Sequence, residues 1–116
     1  MLTSFGKLCK KIRVDHNQVL YDMAKVLGVK PSFLSSVENG KKNVPENWCD
    51  IIHREYGLST NEYKELLEAK DISKTQVKLN LVDCVDEDRA LAFSFARTFE
   101  ELSSEQKKKI YDILNE

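Results

Sequence analysis

The chain has 116 residues and a formal net charge of −1, a length that suits one compact domain or a minimal domain with a short appendage. Its composition, 41% hydrophobic and 32% charged, excludes an intrinsically disordered chain. No apolar run approaches the roughly 18 residues that cross a bilayer, and the first residues lack the apolar core of a signal peptide. We therefore expect no membrane association and a cytoplasmic location.

The charges are distributed unevenly along the chain. Residues 1–45 carry eight basic and three acidic groups, a net charge of +5, whereas residues 46–116 carry ten basic and sixteen acidic groups, a net charge of −6. This asymmetry indicates an N-terminal part that faces a polyanion and an acidic remainder that does not.

The cysteines and histidines do not form a recognisable site. Cys9, Cys49 and Cys84 are odd in number and far apart, and neither His16 nor His53 has a metal ligand at useful spacing. We expect thiols in a reducing compartment, no metal and no cofactor.

Apolar spacing and helix-ending residues predict five helices in the first part of the chain. The first covers residues 3–15, the second begins near Val19 and ends at Gly28, and the third runs from Pro31 to Asn39. A fourth is expected to begin at Pro45 and end before Gly57. The fifth follows the capping box Ser59-x-x-Glu62 and fades near residue 71. The third helix buries Leu34 and Val37, and the fourth buries Trp48, Ile51, Ile52 and Tyr56.

After residue 71 both the period and the charge change, which predicts a domain boundary between residues 1–71 and 72–116. Residues 76–82 alternate between apolar and polar side chains and predict a short strand. A lone strand has no partner in its own chain, so pairing with a second copy is expected. Two more helices follow, at about residues 87–101 and 104–115. The predicted dimer interface consists of Val77, Leu79, Leu81, Phe93, Phe95 and Phe99.

The stretch from Leu20 to Asn39 has the pattern of two helices that cross at a tight turn. Ala24 is small where the helices come closest, and Gly28 occupies the turn. Large apolar groups, Leu34 and Val37 among them, hold both helices to the bundle. In the residues from Asp22 to Val29 and from Phe33 to Lys42, the chain resembles the Xre or Cro/repressor family of helix-turn-helix regulators. The resemblance covers roughly residues 4–70.

The resemblance implies a mainly α fold. For residues 4–70 this is a five-helix Cro/repressor-like helix-turn-helix bundle, to which the pattern of the later residues adds a short C-terminal strand and two further helices, expected to form a dimerisation element. The resemblance also implies that the helix from Pro31 enters the major groove of double-stranded DNA. The implied base-contacting residues are Ser32, Phe33, Ser35, Ser36 and Asn39, and the implied phosphate-contacting residues are Gln18, Lys30, Lys41, Lys42 and Asn43.

The chain also departs from the family pattern at three positions. Leu20 stands where many members have Gln, Pro31 where many have a long polar side chain, and Ser36 where Arg is common. The implied groove face is therefore short and nearly uncharged, which favours modest affinity or recognition shared between two copies.

Two functions agree with these features. The first is a homodimeric transcriptional regulator, a repressor that binds a palindromic operator. The second is an antitoxin or phage-encoded inhibitor whose C-terminal segment binds another protein. An enzyme is not expected, because no nucleophile, base or phosphate-binding loop has a convincing spacing.

Overall fold

The computed structural model describes Met1–Glu116 and contains seven α-helices and one 3-10 turn. The chain divides into two compact units, Met1–Val77 and Lys78–Glu116. The first unit holds α1 (Ser4–Asp15), α2 (Leu20–Leu27), α3 (Pro31–Glu38), α4 (Trp48–Tyr56) and α5 (Thr60–Ile72). The second unit holds α6 (Asp86–Thr98), the 3-10 turn Phe99–Glu101 and α7 (Ser104–Leu114). The expected mainly helical class is confirmed.

The predicted strand at residues 76–82 is wrong. Residues 76–81 have no regular secondary structure, and a turn follows at residues 82–83. Val77 and Leu79 are exposed and Leu81 is half-buried. Alternating side chains suit a pleated surface, but a strand exists only where a neighbouring backbone supplies the ladder hydrogen bonds, and this chain supplies none.

The hydrophobic core lies wholly in the first unit. All sixteen buried apolar residues belong to it, and its largest fully buried side chains are Phe5, Met23, Leu34, Ile52, Leu66 and Val37. The stripes predicted for the third and fourth helices supply five residues of this core, and only Ile51 of the predicted set is half-buried. The five are Leu34, Val37, Trp48, Ile52 and Tyr56. Each helix of this unit therefore buries one face against the others, as an amphipathic helix must.

A buried ion pair joins α1 to the end of α3. Arg13 and Glu38 are only 7% and 2% exposed, and the guanidinium donates from Nη1 to Oε2 at 2.5 Å and from Nη2 to Oε1 at 3.1 Å. The same two helices touch at Gly6, where an added Cβ would lie 2.3 Å from the Glu38 carbonyl oxygen. Thr3 donates from its backbone N–H (2.9 Å) and its hydroxyl (3.0 Å) to that same oxygen. These contacts hold α3 in place from one side.

Local capping sets most helix ends where the sequence predicts them. Ser59 and Glu62 form the expected reciprocal capping box at the start of α5, with distances of 2.8 and 3.1 Å. Because the Ser59 backbone N–H donates to the Glu62 carboxylate, the pKa of that carboxyl group is lowered. The fourth helix begins later than predicted, at Trp48 rather than at Pro45, because the Pro45 carbonyl oxygen accepts from the Trp48 N–H in a preceding turn.

The second unit has no buried residue. Its last helix starts at a second capping box, in which Ser103 and Gln106 exchange hydrogen bonds of 2.9 and 3.1 Å. Neither this unit nor the first contains a helix that is long and apolar enough to span a membrane.

Candidate nucleic-acid interface

The turn between α2 and α3 is only three residues long and has a left-handed residue at its start. Gly28 has φ +70°, a conformation that glycine adopts without steric cost. The Val29 N–H donates to the Ala24 carbonyl oxygen at 2.9 Å, which closes the end of α2. Ala24 is 1% exposed where α2 packs on α3. Two short helices thus meet through a small residue and a tight turn.

The two sides of α3 differ sharply. Leu34, Val37 and Glu38 are buried, and with about 100° between successive residues Ser32 and Ser36 fall on the opposite side. Ser32 is exposed and Ser36 is half-buried. The only acid on α3 is Glu38, whose charge is held by Arg13. The outward face of α3 is therefore polar and uncharged.

Phe33 lies at the edge of this face rather than at its centre. Its ring contacts the Trp48 ring edge-on, with 5.8 Å between centroids, and Lys42 Nζ lies 5.3 Å from the Phe33 centroid. Phe33 therefore braces α3 against α4 and orients Lys42, while part of its ring stays accessible.

An open groove brings several of the expected site residues together. It has a volume of about 580 Å³, and Ser32, Phe33, Ser36, Lys30 and Lys42 line it together with Gly28 and Val29. Ser35, Asn39, Lys41 and Asn43 do not line it. Lys30, Lys41 and Lys42 are exposed, and none of them forms an ion pair. The groove is thus flanked by uncompensated positive charge.

Two asparagines that the resemblance assigned to DNA already have partners within the chain. Asn39 donates from Nδ2 to the Ser35 carbonyl oxygen at 2.8 Å, so its side chain caps the end of α3. Asn43 accepts at Oδ1 from the backbone N–H (3.0 Å) and hydroxyl (3.1 Å) of Thr75. In this conformation Asn39 keeps Oδ1 and its second Nδ2–H free for a base edge. Asn43 ties the chain after α5 to the loop that carries Lys41 and Lys42.

The backbone site expected at the start of α2 is not open. The Gln18 N–H donates to the Arg13 carbonyl oxygen at 2.8 Å, and the Val19 N–H donates to Asp22 Oδ2 at 2.8 Å. The Gln18 side chain accepts at Oε1 from the Tyr56 hydroxyl at 2.5 Å. These N–H groups have no capacity left for a phosphate, and the Asp22 carboxylate would repel one. In this structure the Gln18 backbone N–H is therefore not free for the implied phosphate contact.

Three residues that contact this region are not among the site residues that the sequence predicts. Asp22 lies three residues after Val19, which is the spacing of a capping carboxylate and could have revealed its role. Arg13 neutralises Glu38 in the core, which its place among other basic residues in the sequence does not indicate. Thr75 had no signal at all, because its partner Asn43 lies 32 residues earlier.

The phenylalanines predicted for the dimer interface do not share one face. Phe95 on α6 and Phe99 in the 3-10 turn that follows it contact each other, with 5.5 Å between centroids. Phe93 points to the other side, where the Arg97 guanidinium lies 5.6 Å from its ring centroid. The aromatic part of the predicted interface thus separates into one contacting pair and one ring on another side.

No group of three or more His, Cys, Asp or Glu side chains is arranged to hold a metal ion. Comparison of the chain with protein-family models, with curated proteins and with solved structures gives no match. The chemistry of the site therefore has to be inferred from its own residues.

Proposed function

We propose that this protein is a sequence-specific regulator of transcription that binds double-stranded DNA by inserting α3 into the major groove. The observation that carries the proposal is the polar outer face of α3, which shares an open groove with the exposed Lys30 and Lys42. Neither of these lysines, nor Lys41 beside Lys42 in the chain, has an acidic partner. A helix of this kind fits the width of the major groove, and lysines at its rim suit the phosphates on either side.

Ser32 and Ser36 are the central base-contacting residues in this proposal. Both line the groove, and a hydroxyl both donates and accepts, so each serine suits several base edges. Phe33, at the edge of the face, is placed to contact a thymine methyl group. Because these side chains are short, one copy of α3 specifies only a few base pairs.

Lys30, Lys41 and Lys42 supply the phosphate contacts. Each neutralised phosphate contributes about −0.9 to the slope of log affinity against log salt concentration. Three contacts therefore account for a slope of about −2.7 per copy. A short reading face with a moderate electrostatic contribution favours binding by two copies to a palindromic operator, where the second half-site restores specificity. An operator that overlaps a promoter would make the protein a repressor.

Selection from a pool of random duplexes tests the proposal. The full-length chain is compared with Ser32→Ala/Ser36→Ala, with Lys41→Ala/Lys42→Ala and with the control Lys11→Ala/Lys64→Ala, whose lysines are exposed but do not line the groove. We expect an enriched palindrome for the wild type and the control, loss of the enrichment in the serine variant, and a salt slope smaller by about 2 per copy in the lysine variant.

Absence of any enriched sequence above salt-sensitive background would refute sequence-specific binding. The antitoxin or inhibitor role would then be the better hypothesis, because it requires a protein partner and no operator. Equal loss in the control variant would mean that general charge, and not the α3 face, determines binding.

A further inference from the structure

The second unit exposes apolar side chains that a stable unit of its size would cover. Tyr111 is 66% exposed and Leu114 is 76% exposed, and even the contacting pair Phe95 and Phe99 is 40% and 48% exposed. The unit spans Lys78–Glu116, and units below about 40 residues usually need a disulfide, a metal or a partner chain for stability. Its only cysteine is Cys84, which is free, so a partner is the remaining source of stability.

One groove between α6 and α7 gathers part of the apolar surface of this unit, whereas Leu91, Phe93 and Ile113 are exposed outside it. The groove has a volume of about 260 Å³. The apolar residues lining it are Phe95, Phe99, Leu102, Ile110, Tyr111 and Leu114. At its rim Lys107 Nζ lies 5.2 Å from the Phe99 ring centroid. On α7 the lining residues recur at the spacing of a single helical stripe, so two helices present one continuous apolar face.

We infer that this groove is filled by the same groove of a second copy, so that two α6–α7 pairs form a four-helix bundle. In such a bundle the inner stripes of four helices bury one another, which two helices cannot achieve alone. The pairing is isologous, because each copy contributes the same surface to the other. This inference does not depend on DNA binding by α3.

The charges of the two helices favour a second copy over an unrelated partner. The first turn of α6 carries Asp86, Glu87 and Asp88, whereas Lys107, Lys108 and Lys109 form a run near the start of α7. Lys107 lies against Phe99, just after the end of α6, whereas the three acids are at the start of that helix, so the two charged groups lie at opposite ends of α6. None of the three acids forms an ion pair in the single chain, and of the three lysines only Lys109 does, with Glu105 at 3.4 Å.

A two-fold axis perpendicular to the helices would cover the apolar groove and would also pair the acidic group with the basic group. It lays α6 of one copy beside α7 of the other in the same direction, which brings the acidic turn next to the lysine run. Symmetry forms this contact twice. The apolar groove and both charged groups are thus complementary to the same surface of a second copy, which is present wherever the protein itself is present.

Sedimentation equilibrium of the full-length chain, without DNA, tests the inference. We expect the wild type to be a dimer. Ile110→Lys should raise the dimer dissociation constant at least about a hundredfold, because the substitution occurs twice at the centre of the interface. The matched control is Ile113→Lys, on the same helix but outside the groove and already 64% exposed. It should leave the dissociation constant within about threefold of the wild type.

Charge reversal tests the orientation of the two copies. Replacing the three acids of the α6 turn by lysine, or the three lysines of the α7 run by glutamate, should give a monomer in each case. A mixture of the two variants should form a heterodimer, because each acidic group then meets a basic one at both symmetric contacts. Circular dichroism confirms that the first unit stays folded in each variant.

A wild-type chain that remains monomeric at high micromolar concentration would overturn the inference, as would equal effects of the two isoleucine substitutions. Dimers that tolerate each charge reversal alone would overturn the proposed orientation of the helices. A monomeric chain that selects a DNA sequence would support the α3 proposal and refute the dimer. A dimer that selects no DNA sequence would support the dimer and refute the α3 proposal.

Discussion

Removing one member of the buried pair between α1 and α3 should destabilise the first unit severely. Arg13 and Glu38 are almost fully buried and joined by two hydrogen bonds, so Glu38→Leu leaves an uncompensated guanidinium in the core. Loss of one partner of a buried pair costs about 3–5 kcal/mol. Because small domains have a free energy of unfolding of about 5–15 kcal/mol, we expect the variant to be largely unfolded or marginally stable.

The double variant Arg13→Met/Glu38→Leu tests whether the lost stability comes from the unpaired charge. It replaces both charges by apolar groups, and such replacements are often neutral or even stabilising. We therefore expect the double variant to regain most of the free energy lost in Glu38→Leu. Urea unfolding followed by circular dichroism measures the three free energies, and their non-additivity gives the interaction energy of the pair.

An exposed ion pair supplies the control for this experiment. Arg54 and Glu55 lie 3.3 Å apart, but their side chains are 69% and 50% exposed, so Arg54→Met should change the free energy of unfolding by at most about 1 kcal/mol. If Glu38→Leu does not lower the free energy of unfolding by more than Arg54→Met does, the prediction that burial makes the loss of one partner costly is refuted.

Two further predictions concern a glycine and the thiols. Gly6→Ala should lower the free energy of unfolding by about 1–3 kcal/mol in urea, because its Cβ would lie 2.3 Å from the Glu38 carbonyl oxygen; an unchanged midpoint would contradict that close approach. At pH 8 an excess of a thiol reagent should label Cys84 in the native protein but not Cys9 or Cys49, because both are buried. Burial raises the pKa of the Cys9 thiol and raises that of Cys49 to about 11, which keeps both protonated. Mass spectrometry that finds native labelling at Cys49 would contradict this.

The sequence predicts the first unit well because its signals are local. The turn at Gly28, the start of α3 at Pro31 and the capping box at Ser59 each depend on a few neighbouring residues. Apolar spacing then assigns Leu34 and Val37 to the core, and the structure confirms both. A helix carries its own hydrogen bonds, so its position follows from its own stretch of chain.

The features that the sequence did not reveal depend on partners outside the stretch that carries the pattern, some of them distant and some only a few residues away. Alternation in residues 76–82 describes which side chains share a face, but no residue in the stretch says whether another backbone lies alongside. The Gln18 and Val19 N–H groups find their acceptors, the Arg13 carbonyl oxygen and the Asp22 carboxylate, only in the folded arrangement of α1 and α2. The partner of Asn43 likewise depends on where the chain passes after α5.

The bond from Thr75 to Asn43 determines where the protein should be cut for separate study. A fragment that ends at residue 71 lacks Thr75 and both of its hydrogen bonds, and it also lacks Ser73, whose buried hydroxyl donates to the Ala69 carbonyl oxygen at 2.7 Å. Such a fragment would release the loop that carries Lys41 and Lys42 and would understate their role in any binding assay. A fragment that ends at Val77 retains the loop in its native setting.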